Sequence, residues 1–186
     1  MARIYTKTGD DGTTALYYGG RVRKDDPRPR AFGAVDEAQA ALGLVRAFTD
    51  SDDLAELMVD LERGLYIAMA ELATLPENRH KLAAGTTLVD LEMVTLVEDL
   101  IDRYSEEFEP PTEFVLPGGS KVAAMLDVAR TAMRRAEREA LVVVAADSEV
   151  GKYLNRLSDL LWVLARWQEG GSLTSRGSKE ITDEDE

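Results

Sequence analysis

The chain has no cysteine among its 186 residues and a single histidine, His80. The first absence excludes disulfides, thiolate metal sites and a cysteine nucleophile together. His80 lies in the polar stretch PENRHK and reads as a surface residue with no role of its own. No run of about 18 or more apolar residues occurs, so no membrane span is expected. The opening MARIYTKTGD lacks the apolar stretch of a secretory signal, and a cytoplasmic protein is the expectation. Positive charge is scarce: 22 Lys and Arg face 35 Asp and Glu, for a net charge of −13. That balance opposes a general nucleic-acid role, which needs a cationic footprint. The apolar–polar alternation of strands is rare as well.

What is present is helical. With 45% apolar residues the chain can fill one core. Five stretches carry a 3.6-residue period: about 31 to 48, with Val35, Ala38, Leu42, Val45 and Phe48 on one face; a helix capped by Ser51 and running to about 73; a third capped by Thr87 with Leu91, Val94, Val97, Ile101 and Tyr104 inward; a fourth from Pro117-Gly118-Gly119 to about 144; and a fifth from about 150 to 169. Turn signals at PEN (76 to 78), Pro110-Pro111, PGG and Asp147-Ser148 separate them. The pattern predicts an all-α, five-helix antiparallel bundle (29 to 170) behind an irregular N-terminal arm (1 to 28). The domain then spans 1 to 175, and 176 to 186 reads as an acidic, disordered tail.

Four clusters stand out. YTKTGDDGTT (5 to 14) matches neither a Walker loop nor an EF-hand; its amides, threonines and Lys7 suit an anion, and a plain glycine-rich turn is the alternative. On the fourth helix Arg130, Arg134, Glu137 and Arg138 share a face while Arg135 points slightly away, which fits either a solvated stripe or a phosphate site. Asn155, Asp159 and Arg166 share a face of the fifth helix, as a buried polar network or as ligand contacts. FVLPGGS begins with the apolar plug Phe114-Val115-Leu116, which as an isolated triplet reads as core filler.

In this order YTKTGDDGTT, RVRKDDPRPRAFGAVDE, FVLPGGS, ARTAMRRAERE and YLNRLSD resemble the ATP:cob(I)alamin adenosyltransferases of the propanediol-utilisation type, across most of the chain. The resemblance implies a homotrimer with active sites between subunits. It implies transfer of the 5′-deoxyadenosyl group of ATP to the cobalt of reduced cobalamin, with Mg2+ accompanying the nucleotide and no metal site of the protein's own. It assigns Thr6, Lys7, Thr8, Gly9, Asp10, Gly12, Thr13, Thr14 and Lys24 of the arm to ATP, together with Arg134, Arg135, Glu137, Arg138 and Asn155 on the helices. Asp36 and Arg130 match an inter-subunit salt bridge. Phe114 matches the aromatic residue beneath the corrin, which excludes a lower axial ligand so that four-coordinate cobalt(II) is easier to reduce. A corrinoid reductase and an adenosylcobalamin-dependent mutase are the implied partners. The sequence departs from the family pattern at Ala38, Gln39, Asp127 and Trp162. The first three adjoin the expected corrinoid cleft and bear on corrinoid affinity; Trp162 reads as a packing exchange. A non-catalytic corrinoid or nucleotide carrier is the alternative function, and a helical scaffold is disfavoured by the polar set retained.

Overall fold

A computed structural model describes residues 4–175. The acidic tail expected at 176 to 186 lies outside the described residues. Five α-helices form the bundle: α1 Pro27–Phe48, α2 Asp52–Leu72, α3 Leu91–Ser105, α4 Lys121–Ala140 and α5 Val150–Glu169. α1 packs on α2 and α4, and α5 packs on α4 and α3.

The helix starts follow their caps. Ser51 accepts from the Leu54 amide at 3.3 Å, as the sequence predicts. α1 starts at Pro27 rather than near 31, because Asp26 caps it through the Arg28 amide (2.9 Å). Pro27 and Pro29 cost nothing there, since first-turn N–H groups have no helical partner. α3 is capped by Asp90, which accepts from the Met93 amide at 3.0 Å. Thr87, the expected cap, instead accepts from the Ala83 amide and closes the preceding turn. α4 stops at Ala140, short of 144; the β-branched run Val142 to Val144 lowers helix propensity just beyond that end. The PEN turn is the start of a 3-10 helix, Pro76–Lys81.

The core is a leucine and methionine layer with Leu42, Leu54, Met58, Leu126, Met133, Leu157 and Leu161 fully buried. Alanines fill the α1–α4 seam: Ala31, Ala38, Ala129 and Ala136 are inaccessible to solvent, which lets the two axes approach closely. Ala38 is therefore packing rather than cleft lining. Gln39 is also occupied within the bundle, donating to the Glu62 carbonyl at 2.8 Å. Phe48 and Leu91, placed inward by periodicity, lie at helix ends and are 56% and 63% exposed.

The arm is more ordered than the sequence suggests. Strands β1 Thr13–Ala15 and β2 Arg21–Arg23 pair antiparallel, with Thr14 opposite Val22. Three-residue strands are too short to give a periodic signal. The connecting turn puts Tyr18, Gly19 and Gly20 at positive φ. Its tip is anchored to the end of α2, where the Tyr17 amide donates to the Ala73 carbonyl (2.9 Å). Arg28 secures the same end by donating to the carbonyls of Leu72 and Thr74. Buried Glu71 on α2 accepts from Ser148 (2.6 Å), just before α5, and from Arg79 (2.6 Å). The arm thus sits at the end of the bundle where α4 finishes and α5 begins.

Candidate active site

Residues 4 to 24 of the arm line a concavity of about 450 Å³ that includes Thr6, Lys7, Thr8, Gly9, Asp10, Thr13, Thr14, Arg21 and Lys24. Asp11 organises its floor, accepting from the amide (2.9 Å) and hydroxyl (2.7 Å) of Thr13. Those two bonds, with a smaller contribution from Arg21, hold the Asp11 carboxyl below its usual range. Arg21 crosses the hairpin to reach the Thr8 carbonyl and the Thr13 hydroxyl, each at 2.6 Å. Gly9 is required by proximity: a Cβ there would sit 3.0 Å from the Thr13 carbonyl oxygen and 3.2 Å from Lys24 Nζ. Lys7 holds a left-handed φ of 61°, a costly conformation for a residue with a Cβ. The arm's ion pairs use Arg21 and Arg23, leaving the ammonium groups of Lys7 and Lys24 without an acid among the described residues.

A second cationic face lies on α4. Its ion pairs engage Arg130 and Arg135, and leave the exposed Arg134 and Arg138 without an acid partner among the described residues. Arg135 pairs with Glu37 on α1, consistent with its pointing off the stripe. Glu137 accepts from Asn155 Nδ2 on α5 at 3.1 Å, and Arg156 donates to Asn155 Oδ1 at 2.8 Å. Glu137 and Asn155 both border a hollow of about 580 Å³.

The third feature is a cavity of about 480 Å³ bounded by Pro111 to Val115, Asp127, Arg130, Trp162 and Arg166. Phe114 lies at its edge and is 88% exposed, so it is not core filler. Behind it Asp127 accepts from Arg130 Nε (2.9 Å) and from Arg166 Nη2 (2.6 Å). Trp162 packs on the core beside Phe108, as a packing exchange would, and its ring also lines this cavity with the Arg166 guanidinium 5.8 Å from its centroid. Asp159 lies apart from the network, 3.8 Å from Arg156.

Within one chain these features stay separate. No α4 or α5 residue lines the arm concavity. Asp36 is exposed and pairs with nothing among the described residues. Sequence reasoning missed Asp11 and Arg21, whose roles depend on hairpin register, and Glu169, whose carboxylate meets Arg166 and the Gly119 amide.

Fold and site together define a helical bundle that carries two cationic surfaces and a cavity edged by an exposed phenylalanine. The profile of the family described as cobalamin adenosyltransferase matches residues 4–168. The chain is 40% identical over 172 residues to a corrinoid adenosyltransferase of Citrobacter freundii, spanning 91% of this chain and 96% of that one. It is 40% identical over 193 aligned positions to one of Mycobacterium tuberculosis, spanning 94% and 97%. A variant PduO-type ATP:corrinoid adenosyltransferase from Lactobacillus reuteri, solved with cobalamin and ATP, superposes with a TM-score of 0.83 at 30% identity, covering 96% of this chain and 100% of that one. This chain belongs to the cobalamin adenosyltransferase family.

Proposed function

We propose that residues 1 to 175 act as one ATP:corrinoid adenosyltransferase domain, moving the 5′-deoxyadenosyl group of ATP to the cobalt of a reduced corrinoid. Cobalt(I) supplies the electron pair for the new cobalt–carbon bond. The ribose C5′–oxygen bond breaks, and triphosphate leaves with that bond's electrons. No side chain need act as nucleophile or general base. Catalysis then rests on positioning and on neutralising the leaving charge.

The observation that carries this reading is the presence of two cationic surfaces that find no acid partner, and do not meet, among the described residues. Lys7 and Lys24 line the arm concavity, while Arg134 and Arg138 are exposed on α4 with no acid partner among the described residues. Joining them requires a second copy, which supports a homotrimer with the arm of one subunit facing α4 of the next. Thr6, Thr8, Gly9, Asp10, Gly12, Thr13 and Thr14 would then wrap the triphosphate, and Glu137 and Asn155 would hold the nucleoside end. Exposed Asp36 would reach Arg130 across the seam. Arg130 meets Asp127 through Nε, which leaves its terminal nitrogens available.

Phe114 would fill the space below the corrin, excluding water and the base from cobalt(II) and easing its reduction. Among the described residues no group of three or more His, Asp or Glu forms a metal cage. Mg2+ suits this donor set as an ion carried mainly by phosphate oxygens. There it would offset part of the triphosphate charge. A reductase must supply the electron for cobalt(I), and a mutase is the consumer expected for the product. A cytoplasmic location accords with both.

The test is the conversion of reduced cobalamin by the folded protein with ATP and magnesium, followed by the ultraviolet-visible change on cobalt–carbon bond formation. Adenosylcobalamin and triphosphate in equal amounts are expected. Binding of both substrates without that change would leave a carrier.

A further inference from the structure

The side chain of Phe114 is almost entirely exposed, so packing around the ring cannot fix where it stands. Main-chain bonds hold it instead, and they come from the end of the chain. The Ser175 amide donates to the Phe114 carbonyl at 2.7 Å, and the Leu116 amide donates to the Leu173 carbonyl at 2.8 Å. Val115 and Thr174 form the antiparallel bridge between these bonds. Residues 172 to 175 therefore lie alongside the Phe114 loop as a short strap.

The strap and the loop share one anchor. Glu169, with its side chain 1% exposed, accepts from Ser172 Oγ at 3.0 Å through Oε2 and from the Gly119 amide at 3.3 Å through Oε1. A Cβ at Gly119 would lie 2.9 Å from the Glu169 side chain, so only glycine permits this approach. Glu169 is itself held by Arg166, whose Nη2 donates to Oε1 at 3.1 Å. Arg166 Nε stands 3.0 Å from Oε2 as an ion pair but outside hydrogen-bond alignment. Through Asp127 the same guanidinium reaches Arg130. A continuous polar chain thus runs from the α4 arginine face to the backbone carrying the aromatic ring.

We propose that Glu169 and the strap at residues 172 to 175 are positioning elements for the reaction, setting how close the Phe114 ring stands beneath the corrin. This rests on the adenosyl-transfer reading and on the place given there to Phe114. Neither element touches the substrate. They act through the loop backbone, and their loss would let the ring withdraw and a water or base return to cobalt(II).

The test compares four altered chains with the full-length protein, by turnover and by the electron paramagnetic resonance signal of four-coordinate cobalt(II) in the presence of ATP. The chains are one ending at Ser175, one ending at Ser172, Gly119→Ala and Glu169→Gln. Ending at Ser175 keeps every strap bond and is expected to behave as the full chain. Ending at Ser172, or Gly119→Ala, is expected to shift the signal toward five-coordinate cobalt(II) and lower kcat roughly ten- to a hundredfold, the scale of a small misplacement. KM for ATP and the oligomeric state stay unchanged, which a general loss of structure would not allow. Glu169→Gln keeps the shape and is expected to fall between. A full four-coordinate signal and full kcat in the chain ending at Ser172 overturns the proposal even if Glu169→Gln fails to fold. Absence of both product and signal in the full-length protein overturns the adenosyl-transfer reading beneath it.

Discussion

Asp127 and Arg166 meet at 2.6 Å with side chains only 5% and 2% exposed, and the other oxygen of Asp127 holds Arg130. A charge so far from water is tolerable only while its partner is present. Asp127→Ala should destabilise the fold by less than the about 3–5 kcal/mol of a stranded buried charge, because Arg166 loses its shorter contact but keeps Glu169. Asp127→Asn, which retains an acceptor, should cost less. Urea unfolding of the two variants checks the order, and a neutral Asp127→Ala would refute the pairing.

Gly9 lets Lys24 close over the arm. In Gly9→Ala the new methyl would crowd the Thr13 carbonyl at 3.0 Å and the Lys24 ammonium at 3.2 Å, and the flexible lysine end is the group expected to move. Losing one charge-assisted contact to phosphate, about 1.5 kcal/mol, should weaken ATP binding roughly tenfold. Thermal stability should hold, since the concavity involves the arm alone. Calorimetric titration with ATP, beside a melting curve, separates the two effects.

Phe114→Ala should slow turnover and diminish the four-coordinate cobalt(II) signal while ATP affinity survives. The residue lies away from the arm and from the Glu137–Asn155 contact. Loss of ATP binding in this variant would contradict its assignment to the corrin.

Arg130→Ala should weaken assembly and turnover together if its terminal nitrogens face Asp36 of a neighbouring copy. Sedimentation velocity and the cobalamin assay on one preparation decide this. A trimer of undiminished stability with normal turnover would dissolve the pairing.

Tyr153 gives a pH prediction. Burial pushes its phenol up, because the phenolate would sit in the core between α2 and α5. Above about pH 10 the unfolded chain loses this proton first, so stability should fall by about 1.4 kcal/mol per pH unit until the folded phenol also ionises. Below that range the contribution is fully present. Tyr153→Phe should flatten the alkaline limb of a denaturation series, and an unchanged limb would assign the loss elsewhere.

The bundle was legible because its signals are local. Ser51 caps α2, and Leu154, Leu157, Leu161 and Leu164 face inward on α5, as the period requires. Where two local signals competed, the sequence misled: Pro29 looked like a boundary but sits inside the first turn of α1, and Thr87 looked like a cap but closes a turn. The arginine stripe and the aromatic plug were visible as patterns, each with a bland alternative; exposure removes it for Phe114, which is not core filler, while an exposed stripe fits both of its readings. The network of Asp127, Arg166 and Glu169 was not readable as a network. Its members come from two helices far apart in sequence, and Glu169 also takes a backbone amide, that of Gly119, in a loop distant along the chain.

α4 acts as a ruler. Arg130 at the Phe114 cavity and Arg138 near the arm end are separated by about 12 Å of helical rise, at ~1.5 Å per residue. The gap between a metal and the carbon it attacks would then be graduated on one rigid rod, with loops merely carrying cargo to its marks. Adding a single residue between those marks would turn everything beyond it by about 100°, so length should be far more free to drift in a connection that carries no site residue, such as the one between α2 and α3, than within α4 itself.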